Sequence, residues 1–196
     1  VTVSFTDGTT PQIAASGAEM ASGSESSRRF ELEAGRTFAL SISTDYKVAT
    51  QTVGDVKVFA YYFAFYDEEG EALLQTTAQA LQVFSEKFGP YRHKTMTAVQ
   101  GDFNDGMEYS AFYFISRDYF NLYDGTPVNY LVTIGAHETA HQWWFDAVAN
   151  DQGIEPWLDE ALATYSERVY YEAIYPDLVS SWQGYRYFEF QNAGAV

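Results

Sequence analysis

Cysteine is absent from the 196 residues. That excludes a disulfide framework, a thiol nucleophile and any cysteine-held zinc or iron–sulfur centre. Basic residues are scarce: 11 Lys plus Arg stand against 27 Asp plus Glu, a formal charge of −16. So few cations cannot neutralise a run of phosphates, and no nucleic-acid partner is expected. Electrostatic attachment to an anionic membrane is not expected on the same ground. No stretch reaches the ~18 apolar residues a membrane span requires, so no span is expected in this segment. The chain opens at Val1 inside a strand pattern and reads as an excised segment of a longer protein. Histidine is also rare, with three in the chain, so its placement carries information.

What is present is apolar and aromatic. Hydrophobic residues make up 46% and aromatic residues 18%, including 16 Tyr, which is not the composition of a disordered chain. The length suits one ordinary domain, or one domain plus a piece of another. Tyr buries area while keeping a polar tip, so it serves a broad groove as well as a core. The acidic surface favours a cationic partner, or serves solubility alone.

Residues 1–66 read as strands. Val1, Val3 and Phe5 alternate with polar residues, as do Phe38, Leu40 and Ile42, then Val56, Val58 and Ala60. Residues 14–27, small and polar, read as a loop. Near Asp67 the period changes. Leu73, Thr77, Ala80, Leu81, Phe84 and Phe88 follow helical spacing, and Gly89-Pro90 ends that helix. Thr95–Gln100 and Met107–Ser116 read as strands. Thr126-Pro127 reads as an N-cap followed by a first-turn proline, with a helix running to about Ala149. Pro156 opens another helix ending near Tyr175. A last helix is expected over residues 177–192, with Trp182, Tyr185 and Phe188 inward. The fold class is therefore α+β, with a boundary at residues 60–67.

Two of the three histidines lie in His137-Glu138-Thr139-Ala140-His141, an H-E-x-x-H motif inside the helical pattern. Positions i and i+4 share a helix face, so both imidazoles can reach one ion at ~2.0–2.1 Å. Glu138 is about 100° round the axis, beside the open coordination position and outside the ligand set. A carboxylate there can take a proton from zinc-activated water and deliver it to a leaving amine. A third ligand, Glu160, follows His141 after 18 residues, and Gly153 and Pro156 give the chain room to reverse. Two nitrogens, one oxygen and one open position suit a single catalytic Zn2+ per chain.

HETAHQWW followed by WLDEALATYSE resembles the M1 family of zinc aminopeptidases, within the gluzincins. The family pattern is H-E-x-x-H, 18 residues, then the Glu of W-L-N-E-G-x-A-x-Y. Asp159 stands here for the usual Asn, and Ala161 for the usual Gly. Upstream, Asp102-Phe103-Asn104-Asp105-Gly106-Met107-Glu108-Tyr109 is similar to D-F-x-x-G-x-M-E-N, one residue short and with Tyr109 for Asn. The resemblance covers roughly residues 30–196. It implies that residues 1–62 end an N-terminal β domain. Residues 63–196 would then begin a thermolysin-like zincin domain with a small mixed sheet. It also implies that Glu108, with Gly106 and Met107, binds the free amino end of a peptide substrate. The family's oxyanion tyrosine lies further downstream, so the isolated segment is expected to be weakly active or inactive.

For the remaining residues, ordinary structural roles are expected. His93 is structural or exposed. Trp143, Trp144 and Trp157 pack the two ligand helices. Tyr165, Tyr170, Tyr171 and Tyr175 are core or surface residues. Glu167 and Arg168 either orient a ligating imidazole or are solvent-exposed. Two further functions stay open beside the aminopeptidase: a metallopeptidase-like interaction module without catalysis, and an endopeptidase with the same zinc chemistry.

Overall fold

A computed structural model describes residues 1–6, 8–21 and 26–188, apart from the side chain of Phe188. It opens with five short strands: β1 (Thr2–Ser4), β2 (Gln12–Ala15), β3 (Ala18–Met20), β4 (Ser27–Glu31) and β5 (Leu40–Ser43). They pair antiparallel in the orders β1-β4-β3 and β2-β5. The loop expected over residues 14–27 is corrected here. Its described part holds the end of β2, all of β3 and the start of β4. Residues 22–25 lie outside the described residues. Small side chains fit there because the segment is enclosed: Ala14, Ala15 and Ser16 are 0%, 5% and 0% exposed. Small residues look like a loop in sequence because they carry no apolar period.

A larger sheet carries the site. β6 (Tyr46–Val53) and β7 (Val56–Phe63) form a hairpin, and the helix α1 (Asp67–Phe88) crosses to β8 (Thr95–Gly101), parallel to β7. β9 (Gly106–Tyr109) and β10 (Phe112–Ser116) complete the order β6-β7-β8-β10-β9, with β9 at the edge. Every residue of β8 is buried, as suits a strand covered on both faces. The single strand expected over Met107–Ser116 is a tight hairpin, turned at Ser110-Ala111 with Ala111 at φ 57°. No Gly or Pro marks that turn, so the aromatic run conceals it. The boundary expected between residues 62 and 63 falls at the end of β7, which pairs with both β6 and β8.

Short α2 (Arg117–Asn121) leads to α3 (Tyr130–His141). The cap of α3 is Asn129 rather than Thr126: the Asn129 side-chain Oδ1 accepts the Val132 N–H at 3.0 Å. The expected continuation to Ala149 becomes a six-residue π-helical segment, Gln142–Ala147. α4 (Trp157–Ile174) begins after Pro156, as expected. A 3-10 turn (Pro176–Leu178), α5 (Val179–Gln183) and a second π-helical segment (Gly184–Phe188) follow. Trp182 is fully buried and Tyr185 half-buried. Residues 189–192 of the last expected helix, and the Phe188 side chain, lie outside the described residues.

α1 buries Leu73, Thr77, Ala80, Leu81 and Phe84 in one core with the sheet, α3 and α4. Each large apolar side chain sealed there contributes about 1.5–3 kcal/mol. α3 sits so close to α1 that a Cβ on Gly135 would lie 3.2 Å from Leu73 Cδ1 and 3.3 Å from Thr76 Cγ2. The central helix is thereby held between α1, α4 and the sheet.

Candidate functional site

All residues of α3 from Leu131 to His141 are buried. Such a helix has no solvated face on which ionisable residues sit freely. Yet His137, Glu138 and His141 are 5%, 5% and 1% exposed. Buried ionisable groups need partners or a ligand. A histidine pair on a helix surface is thus not what the structure contains.

His137 Nε2 lies 3.2 Å from His141 Nε2 and 3.1 Å from Glu160 Oε2. His141 Nε2 lies 3.9 Å from Glu160 Oε1. Tetrahedral ligands at ~2.0–2.1 Å from zinc are about 3.3 Å apart. These three side chains therefore fit around one ion, and they form a group able to hold one. The donor set, two imidazoles and a carboxylate, suits zinc.

Proton placement matches such a cluster. Burial works against charge on His137, but hydrogen bonds to Glu160 and Glu167 push its pKa up to about 10. Burial and the nearby His137 cation lower His141 to about 3. The His137 hydrogen bond holds Glu160 below its usual range. An entering cation displaces the proton His137 keeps.

Glu160 and Glu167 are seven residues apart on α4, two turns along one face. They grip opposite nitrogens of one ring. Glu167 Oε1 accepts from His137 Nδ1 at 2.8 Å. Glu167 also accepts from Arg186 Nε and Nη2, each at 3.0 Å, and from Trp182 Nε1 at 3.3 Å. It is 0% exposed. Of the two readings for Glu167, the structure places it against the imidazole. Arg168 instead pairs with Glu172 on the exposed side of α4.

Glu138 faces Gly106 across the cleft wall. A Cβ on Gly106 would collide with Glu138 Oε1, so a side chain there would push that carboxylate aside. Glu138 Oε2 is buried with no hydrogen-bond partner. Burial pushes this carboxyl well up, His137 pulls it down, and Glu108, Glu160 and Asp105 raise it further. Carboxylate oxygens of Glu138 and Glu108 and a ring nitrogen of His141 all lie within 4.8 Å of one another.

Glu108 stands on the edge strand β9, 6% exposed. Gln142, directly after His141, holds that hairpin: its Oε1 accepts the Ala111 N–H at 2.8 Å, and its Nε2 donates to the Tyr109 carbonyl at 2.9 Å. Gly106 and Glu108 line a cleft of about 920 Å³ with His137, Glu138 and Glu160. Met107 does not line it and is 40% exposed, because neighbours on a strand point to opposite faces. Tyr109 likewise turns away, against Phe112 and Phe114. Counted back from Met107-Glu108, the glycine of G-x-M-E-N falls on Asp105, which adopts φ 67°. That is the left-handed conformation a glycine takes freely.

His93 is buried and 2.7 Å from Asp146 on the π-helical segment, a structural pair behind the site. Trp144 donates to Ser166 Oγ on α4, as expected of a residue between the ligand helices, whereas Trp143 donates to the Gly89 carbonyl and packs against Phe84, Phe88 and Tyr91 at the end of α1. Trp157, 62% exposed, lines the cleft instead. Tyr170 and Tyr171 are core, whereas Tyr165 also lines the cleft. Gln142, Gln152 and Arg186 escaped the sequence reading, because each acts through a partner remote in the chain.

Comparison with known proteins gives a consistent picture. The family described as the peptidase family M1 domain matches residues 72–195. "Aminopeptidase M1" of Arabidopsis thaliana is 28% identical over 137 residues, 66% of this chain and 16% of that protein. "Aminopeptidase 2" of Candida albicans is 31% identical over 123 residues, 59% of this chain and 13% of that protein. The chain thus spans about a sixth or less of these relatives' lengths.

Proposed function

Because the chain belongs to peptidase family M1, we propose that it carries the zinc site of an aminopeptidase acting on peptide amino termini. His137, His141 and Glu160 hold one Zn2+. Bound there, zinc supplies a Lewis acid and brings the pKa of a water near 7. Glu138 accepts the proton of the attacking water and returns it to the departing amine. Its unpartnered Oε2 leaves an oxygen available for that transfer. Glu108 accepts a charge-assisted hydrogen bond from the substrate's α-ammonium. β9 is a sheet edge, so the peptide backbone can pair along it while its amino end meets Glu108. No described helix is long and apolar enough to cross a membrane.

One observation carries this reading: His137 and Glu160, the buried Glu138 and the strand-borne Glu108 line one cleft. The test compares a peptide with a free amino terminus with its N-acetyl counterpart in the full-length protein. The free peptide is expected to be cleaved at least about tenfold better, from the loss of one charged hydrogen bond. Glu108→Gln is expected to shrink that preference. Equal cleavage of both peptides would make the protein an endopeptidase and remove the role of Glu108.

A further inference from the structure

The loop between the two ligand-bearing helices carries Gln152, to which no motif gives a role. Its Nε2 donates to Glu108 Oε1 at 2.6 Å. The same amide donates to Asp159 Oδ2. Asn150 Nδ2 donates to the other Asp159 oxygen at 3.0 Å and to the Glu155 carbonyl at 2.9 Å, which ties the loop to the start of α4. Glu108 and Asp159 are 6% and 1% exposed. Two enclosed carboxylates raise each other's energy unless a donor lies between them. The amide of Gln152 is such a donor, with one N–H for each. Burial pushes the Glu108 carboxyl up, and the Gln152 hydrogen bond works against that shift.

We propose that Gln152 is a positioning residue that sets selectivity for free amino termini by fixing the Glu108 carboxylate relative to the metal-ligand helix. It occupies one oxygen of Glu108 and leaves the other for the substrate's ammonium. Through Asp159 it ties that oxygen to the residue beside Glu160. β9 is also held by Gln142, directly after His141, whose amide donates to the Tyr109 carbonyl. Glu108 and its strand are therefore tied, through these two amides, to the segments that follow His141 and precede Glu160. This tie fixes the distance from the amino end of a substrate to its first peptide bond. This inference rests on the Glu108 role proposed above.

The experiment uses the full-length protein with Gln152→Met, which keeps side-chain length but removes both N–H donors, and Gln152→Ala. Glu108→Gln serves as reference. KM, kcat and zinc content are measured with the free and N-acetylated peptides. Both Gln152 variants are expected to raise KM for the free peptide roughly tenfold, the scale of one charged hydrogen bond. kcat is expected to stay within about twofold and zinc to be retained, the pattern of lost ground-state binding. An unchanged KM in the Gln152 variants, with KM raised in Glu108→Gln, would overturn the role of Gln152 and leave that of Glu108. An unchanged KM in Glu108→Gln would overturn both. Zinc loss in both Gln152 variants would assign the residue to the metal frame and overturn the proposal.

Discussion

Glu138→Gln in the full-length protein is expected to keep its metal and lose about 10²–10⁴ in kcat, the range a positioned general base supplies. The substitution is close in shape, so the contact with Gly106 persists. Neither His137 nor His141 uses Glu138 as a hydrogen-bond partner in the structure. The loss therefore falls on proton transfer, not on the ligands. A matched zinc measurement separates the two. Wild-type kcat with normal zinc would reject Glu138 as the base and favour a module in which the site has no catalytic use.

The second large effect is expected at Glu167. Glu167→Leu strips His137 Nδ1 of its acceptor and breaks the Glu167–Arg186 ion pair. Removing one partner of a buried ion pair costs about 3–5 kcal/mol. Losing the group that orients a ligating imidazole costs about 10–100-fold in metal affinity. Denaturant unfolding with and without zinc, beside a competitive zinc titration, reads both. Glu167→Gln keeps an acceptor for Nδ1–H and is expected to recover most of the affinity but less of the stability. Wild-type zinc affinity in Glu167→Leu would detach this residue from the site.

The motif residues were readable in sequence because they obey local periods. His137 and His141 are one turn apart, and the helical runs around α1 and α4 mark where their faces lie. Glu167 was half-readable, since seven residues from Glu160 is two turns on the same face. Sequence alone does not place the cap of α3, because Thr126 and Asn129 can both cap, and only the fold shows which N–H is left open. Asn129 meets that of Val132. β3 is hidden in the sequence because its small residues carry no period. The β9–β10 turn was missed because Ala111 takes a positive φ without a glycine to announce it. Gln142 and Gln152 were invisible for another reason. An amide that bonds to a strand 33 or 44 residues away leaves no mark on its own neighbourhood.

The measurement that bears most directly on the account is the zinc content of the purified chain, beside His141→Ala. The three ligand atoms already stand at spacings that suit one ion. One zinc per chain, lost in His141→Ala, is the predicted result. No zinc at saturating metal, or equal zinc in the variant, would contradict the site built from His137, His141 and Glu160.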